Sequence, residues 1–114
     1  MPYLPCLNTS TIRPAPLLQK IEAAAAAGFR AIEPWNADVD AHLADGGSMQ
    51  EIHEVLRRHG LSVPSVIAIM GFVGNEAPGR EERRAEARRR MQQARDLGSP
   101  FIVASPPPGR ADLV

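Results

Sequence analysis

Five side chains suited to chemistry sit where short apolar segments of this 114-residue chain give out: Asn8, Glu33, Trp35, Met70 and Ser105. Glu33 is the one carboxylate among them. It can accept hydrogen bonds from substrate hydroxyls or lend its charge to a neighbouring metal, and it can equally pair with an arginine at a rim; the sequence leaves both roles open. Trp35 lies two residues on, on the same side of an extended segment, and offers a flat apolar wall to a ring-shaped ligand or packs beneath a loop. Asn8 presents a donor and an acceptor to a polyol, or uses them to hold its own turn. Met70 and Ser105 complete the set as substrate-contacting positions. What unites the five is placement: if their segments are parallel strands, their carboxyl ends open onto one mouth, where parallel α/β proteins do their chemistry.

Positioning them requires strands that run the same way. Gly28 to Trp35 shows how the chain makes one: Gly28 suits the left-handed position after the apolar helical run Leu17 to Ala27, Phe29 to Ile32 is a short buried strand, and Pro34 stops it for want of an amide. A first strand is predicted over Tyr3 to Thr9, weakened by Pro5. A helix follows from about Ala15 to Ala27, with Leu17, Ile21, Ala24 and Ala25 as its apolar stripe. Asn36 to Gly47 reads as a loop holding a short helical turn around Val39 to Leu43. Ser48-Met-Gln-Glu51 is a capping box, opening a helix that carries Ile52, Val55 and Leu56 inward and closes at Gly60. Leu61 to Met70 is a third strand with Pro64 near its start, and Gly71 to Gly79 a loop at its carboxyl end. The next helix, about Arg80 to Leu97, has a stripe of Ala87, Met91, Ala94 and Leu97. Pro100 to Ser105 contains a fourth strand that Pro106-Pro107-Pro108-Gly109 cannot continue, and Arg110 to Val114 resembles the approach to another helix.

Strand and helix therefore alternate through three crossover units, with helix-closing glycines at 28, 60 and 98. Right-handed crossovers make such a chain a parallel α/β fold, either a doubly wound sheet or part of a (β/α)8 TIM barrel. A whole barrel takes roughly 250 residues, so in the second case this chain could supply only about the first half of one; in either case a single domain over 1–114 is expected.

Composition removes several functions. Acidic and basic residues balance at 13 each, giving no net field for nucleic acid, an anionic membrane or a highly charged substrate. Seven arginines lie between Arg80 and Arg95, but Glu81, Glu82, Glu86 and Asp96 are interleaved with them, which describes a solvated, salt-bridged face. Cys6 is the sole cysteine, without an internal disulfide partner or a histidine placed to activate it, so it is expected to serve packing in a reducing compartment. No basic-plus-apolar leader and no apolar run of spanning length is present, so the expectation is a soluble cytoplasmic chain. His53 and His59 fall on different helix faces and His42 in a loop, so surface histidines rather than a metal site are expected. Asp38, Asp40 and Asp45 lack the glycine and final glutamate of a calcium loop. Neither type of phosphate-binding glycine loop and no Gly-x-Ser-x-Gly elbow occurs.

In order and spacing, four segments together resemble the sugar phosphate isomerase/epimerase group of the xylose isomerase-like TIM barrels. They are Leu7-Asn8-Thr9, Ala27-Gly28-Phe29-Arg30-Ala31-Ile32-Glu33-Pro34-Trp35, Arg58-His59-Gly60-Leu61-Ser62-Val63, and Ala94-Arg95-Asp96-Leu97-Gly98-Ser99-Pro100-Phe101-Ile102-Val103. The resemblance implies an enzyme that moves a proton next to a carbonyl of a sugar, inosose or small hydroxy-keto acid, using a divalent metal (Mn, Mg, Zn or Co). It implies Glu33 as an active-site carboxylate and Trp35 as a pocket wall. The group's metal-binding Glu, Asp, His and Glu belong to second-half strands, so the resemblance implies that this chain holds none of them and is inactive alone. Ile69-Met70 also departs from relatives that carry a substrate-contacting histidine there. A half barrel leaves open edges and an apolar inner face, so a missing carboxyl-terminal half or self-association is expected, with a small sugar-like substrate and neither nucleic acid nor membrane as partner. The competing reading is a small non-enzymatic doubly wound module that binds a polar ligand or a protein at the same strand ends. An abasic-site endonuclease is disfavoured, since such sites are rich in histidine and their DNA grooves are basic.

Overall fold

A computed structural model of the chain describes residues 3–70 and 79–106, and within them strands and helices alternate. The strands are β1 (Cys6–Asn8), β2 (Ala31–Glu33), β3 (Val66–Met70) and β4 (Ile102–Ser105). The helices are α1 (Leu17–Ala26), α2 (Asn36–Ala44), α3 (Met49–His59) and α4 (Arg80–Asp96), with a 3-10 turn over Thr9–Ile12. β1 pairs in parallel with β2, placing Asn8 opposite Glu33, and β3 pairs in parallel with β4, placing Val66 opposite Ile102. Parallel bridges from Ala31 to Ser62 and from Trp35 to Ile67 join the two pairs. Spatial order thus follows chain order without reversal. A doubly wound sheet reverses at its switch point and a barrel does not, so the architecture formed is the first part of a (β/α) barrel.

The join between β2 and β3 is incomplete for a covalent reason. Ile32 donates its amide to the Ser62 carbonyl at 2.9 Å, Ser62 to the Arg30 carbonyl at 3.2 Å, and Ile67 to the Pro34 carbonyl at 3.0 Å. A regular parallel ladder would add bonds from amide 64 to carbonyl 32 and from amide 34 to carbonyl 64. Both donors would be prolines, Pro34 and Pro64, so neither bond can form. The third strand, expected from Leu61, therefore begins only at Val66. The first is shortened from the expected Tyr3 to Thr9 as well: Pro5 gives no amide, although its carbonyl accepts from Arg30 and Ala31 at 3.0 and 3.2 Å.

The helices pack on one side of the strands. Leu17, Ile21, Ile32, Val39, Ile52, Leu56, Val66 and Leu97 belong to one buried cluster. Burial of that side chemistry is what holds such short strands in place, at roughly 25 cal/mol per Å² of apolar surface removed from water. The stripe read for the first helix is found, with Ala25 partly buried. Gly28, Gly60 and Gly98 all follow helices with positive φ, of 90°, 65° and 77°, which the unit repeat requires. Ser48 Oγ accepts from the Glu51 amide at 3.2 Å, while the Glu51 carboxylate returns to the Ser48 hydroxyl and not to its backbone.

Two elements differ from the sequence reading. Asn36–Ala44 is a full helix, because Val39 anchors it in the core and Asp38 lies in its first turn, where a negative charge suits the helix dipole. Its single deeply buried apolar residue gives no visible stripe. On α4, Met91 is 46% exposed and Gln93 is buried in its stead. The helix is turned by polar contacts: Arg90 donates to the Ala68 carbonyl at 2.9 Å, and Gln93 meets Asn36 and Asp40. The loop read over Gly71 to Gly79 lies outside the described residues except for Gly79, as does everything after Pro106. Among the described residues, no helix is long and apolar enough to cross a membrane.

Candidate functional site

Because Ile32 points into the helical core, the alternation of an extended chain sends Glu33 to the opposite, inner side. Register then brings Asn8 beside it. Asn8 Nδ2 donates to Glu33 Oε1 at 2.8 Å, and the Ser65 hydroxyl donates to Glu33 Oε2. Asn8 Oδ1 accepts from the Ser10 amide and from Trp35 Nε1, both at 2.9 Å. The buried Thr9 hydroxyl accepts from the Trp35 amide at 3.0 Å, so backbone and indole of Trp35 are both tied to the exit of β1.

This arrangement settles what each group has left to offer. Asn8 both holds its own turn and orients Glu33; its acceptor oxygen is fully used and one N–H remains. Each Glu33 oxygen has one donor and keeps a further lone pair. Among the described residues its hydrogen-bond partners are Asn8 and Ser65, and not the rim arginine considered from sequence. Cys6, expected to be packing, is instead exposed on this inner side. Partial burial of its thiol, and then the Glu33 charge, push its pKa up, away from a reactive thiolate.

Among the described residues, Met70 and Ser105 take no part in the hydrogen bonds of this cluster. Val66 and Ala68 face the helices, the β3–β4 register slips between Ile67 and Ile69, and Met70 ends 46% exposed in a hollow with Ile69 and the α4 residues Glu82, Glu86 and Arg90. Ser105 lies opposite Met70 in that register. Hydrogen bonds thus tie together three of the five, Asn8, Glu33 and Trp35, with Ser65 as a fourth that sequence reasoning passed over. Its signal was available: Ser65 follows Pro64 and precedes a strand, at the level of Glu33.

Sequence reading also missed two buried polar contacts. Lys20 is 1% exposed and its ammonium meets Asp38 Oδ1 at 3.0 Å, linking α1 to α2. Asn36, fully buried, donates to Gln93 Oε1 at 2.6 Å; Gln93 donates to Asp40, which also receives both Arg89 nitrogens at 3.0 and 3.1 Å. Hydrogen bonds from Arg89 hold the Asp40 carboxyl below its ordinary range, and those from Arg89 and Arg90 bring Glu86 down to about 2. His42 is not a surface histidine: its side chain is 12% exposed, with Nε2 3.6 Å from Glu51 Oε2, near enough for charge but too far for a hydrogen bond. Among the described residues, no group of three or more His, Cys, Asp and Glu side chains could hold a metal.

Known proteins share this architecture. A xylose isomerase-like TIM barrel/4-hydroxyphenylpyruvate dioxygenase fusion protein superposes with TM-score 0.79 at 23% identity, over 100% of this chain and 18% of its own. Protein SMc04130 of Sinorhizobium meliloti 1021 gives TM-score 0.75 at 25% identity, over 96% of this chain and 39% of its own. The IolI protein, solved with a bound zinc atom, gives TM-score 0.77 at 22% identity, over 91% and 38%. The chain thus spans less than two fifths of each of these structures. No curated protein sequence matches it. The sequence profile of the xylose isomerase-like TIM barrel matches residues 21–112, most of the chain, and with β strands in unbroken parallel order the chain belongs to that family.

Proposed function

We propose that this chain forms the amino-terminal half of an isomerase or epimerase barrel that moves a proton next to a carbonyl of a sugar, inosose or small hydroxy-keto acid, in the cytoplasm. The observation that carries the reading is Glu33, held at a strand exit by Asn8 and Ser65 with one lone pair free on each oxygen, beside an indole fixed by Asn8. In this reading Glu33 accepts hydrogen bonds from substrate hydroxyls and Trp35 packs against the apolar face of the ring. Zinc in the IolI structure supports a divalent metal for the complete enzyme. In this reading the metal's ligands come from further strands of the complete barrel.

The inner face supports the need for a second half. Ile102 packs on the core, so Phe101 and Val103 point the other way, and Phe101 is 70% exposed. The remaining strands of the barrel, or a second copy, would cover it. The test is deuterium uptake from D2O at the carbon beside the carbonyl, across a panel of ketoses, inososes and hydroxy-keto acids, by the chain together with its downstream reading frame. Uptake is expected for one class and should fall at least ~100-fold with Glu33→Gln, the scale of a lost proton-transfer partner or orienting group. Uptake that ignores this substitution removes Glu33 from the reaction.

A further inference from the structure

We propose that the hollow between the Thr9–Ile12 turn, α1 and the start of α2 binds a small oxyanion, a carboxylate or a phosphate ester. It is a cavity of about 250 Å³ lined by Ser10, Arg13, Lys20, Trp35, Ala37 and Asp38. It lies behind Trp35, so the indole whose N–H fixes it to Asn8 also forms a wall of this second space. The assignment does not depend on the isomerase reading.

Donor count and charge carry the argument. Lys20 is 1% exposed, yet among the described residues its ammonium has one hydrogen-bond acceptor, Asp38, for three N–H bonds. A buried ammonium left short of acceptors is costly, and an oxygen-bearing guest would relieve it. Arg13 stands exposed at the edge of the same hollow, and among the described residues its guanidinium has no ion-pair or hydrogen-bond partner. The Ser10 hydroxyl likewise has none. Two cations against the single Asp38 carboxylate leave the lining of the hollow net positive, which suits an oxyanion. A guanidinium fork grips such a group through two parallel bonds. The indole offers the rest of the ligand an apolar surface, so a small hydroxy acid or a phosphate ester fits better than an isolated halide.

Trp35 is the only tryptophan, so its fluorescence reports occupancy directly. The chain is titrated with glycolate, with methyl phosphate and with uncharged glycolamide at constant ionic strength set by chloride. A saturable change is expected for glycolate or methyl phosphate and not for glycolamide, and which anion saturates assigns the source. Arg13→Gln should weaken that binding at least about tenfold, and Arg95→Gln, at the exposed far end of α4, should leave it unchanged. Lys20→Met risks unfolding, so the decision rests on the Arg13 variant, checked for native fluorescence without ligand. No saturable change, an equal response to chloride alone, or binding indifferent to Arg13→Gln overturns the proposal. None of these outcomes bears on deuterium uptake or on Glu33, so the two readings fail separately.

Discussion

Replacing Asn8 by aspartate tests the site network while barely altering shape. The variant keeps an oxygen for Ser10 and Trp35 but turns the donor that faces Glu33 Oε1 at 2.8 Å into a second acceptor. Two full charges that close repel by ~1.5 kcal/mol in bulk water and by ~6 kcal/mol at an effective dielectric of about 20, so a half-buried pair pays ~3 kcal/mol. That is about two units of proton affinity, and the pair in the variant will hold a shared proton. The sign follows from linkage: above about pH 4 the folded pair keeps a proton that unfolded carboxyls have released, so the variant loses stability relative to the native chain as pH rises from about 4 to about 6. Urea denaturation followed by Trp35 fluorescence should give a difference below ~1 kcal/mol at about pH 4 and near ~3 kcal/mol at about pH 8. Equal differences at the two pH values would show that Asn8 and Glu33 are not in contact.

Acid stability should depend on Arg89. Its hydrogen bonds lower Asp40 and, with Arg90, bring Glu86 down to about 2, so their stabilisation is complete above about pH 4.5 and fades as pH falls through about 2. Both carboxylates are partly solvated, which limits the effect to under ~1 kcal/mol, and Arg89→Ala should flatten the acid limb of Tm against pH; a limb of unchanged slope counts against the ion pairs. Gln93→Leu leaves the buried Asn36 amide without its acceptor and should cost ~1–3 kcal/mol in urea denaturation, against less than ~0.5 kcal/mol for Gln92→Leu on the exposed side. Ser48→Ala should cost ~1 kcal/mol and Ser48→Gly only a few tenths, read the same way; similar losses in both would remove the cap.

The legible parts of this chain were those encoded over a few residues. Gly28, Gly60 and Gly98 mark helix ends because a left-handed backbone excludes most side chains, and Ser48 with Glu51 marks a helix start because both partners lie within one turn. The pairing of Asn8, Glu33 and Trp35 at one strand exit could be reached the same way, from alternation along two short strands. Met70 could not, since the register slip after Ile67 arises between strands and leaves no mark within β3. Lys20, Asn36 and Gln93 were hidden for a related reason. Each is polar and buried only because a partner 18 or 57 residues away answers it. Polarity in sequence reads as surface until the answering group is known.

The two absent rungs at Pro34 and Pro64 give the half barrel a line of weakness between its second and third strands. Three amide bonds remain between the two pairs, so the buried cluster they share, with Ile32 from β2 and Val66 from β3, carries the rest of the join. The Ser65 hydroxyl, which donates to Glu33 Oε2, crosses that line as a side-chain rung, while Asn8 holds the other carboxylate oxygen from β1. The gap left by two imino acids is thus spanned in part by the candidate carboxylate itself, which makes Glu33 a strut of the barrel wall as well as a group facing its mouth.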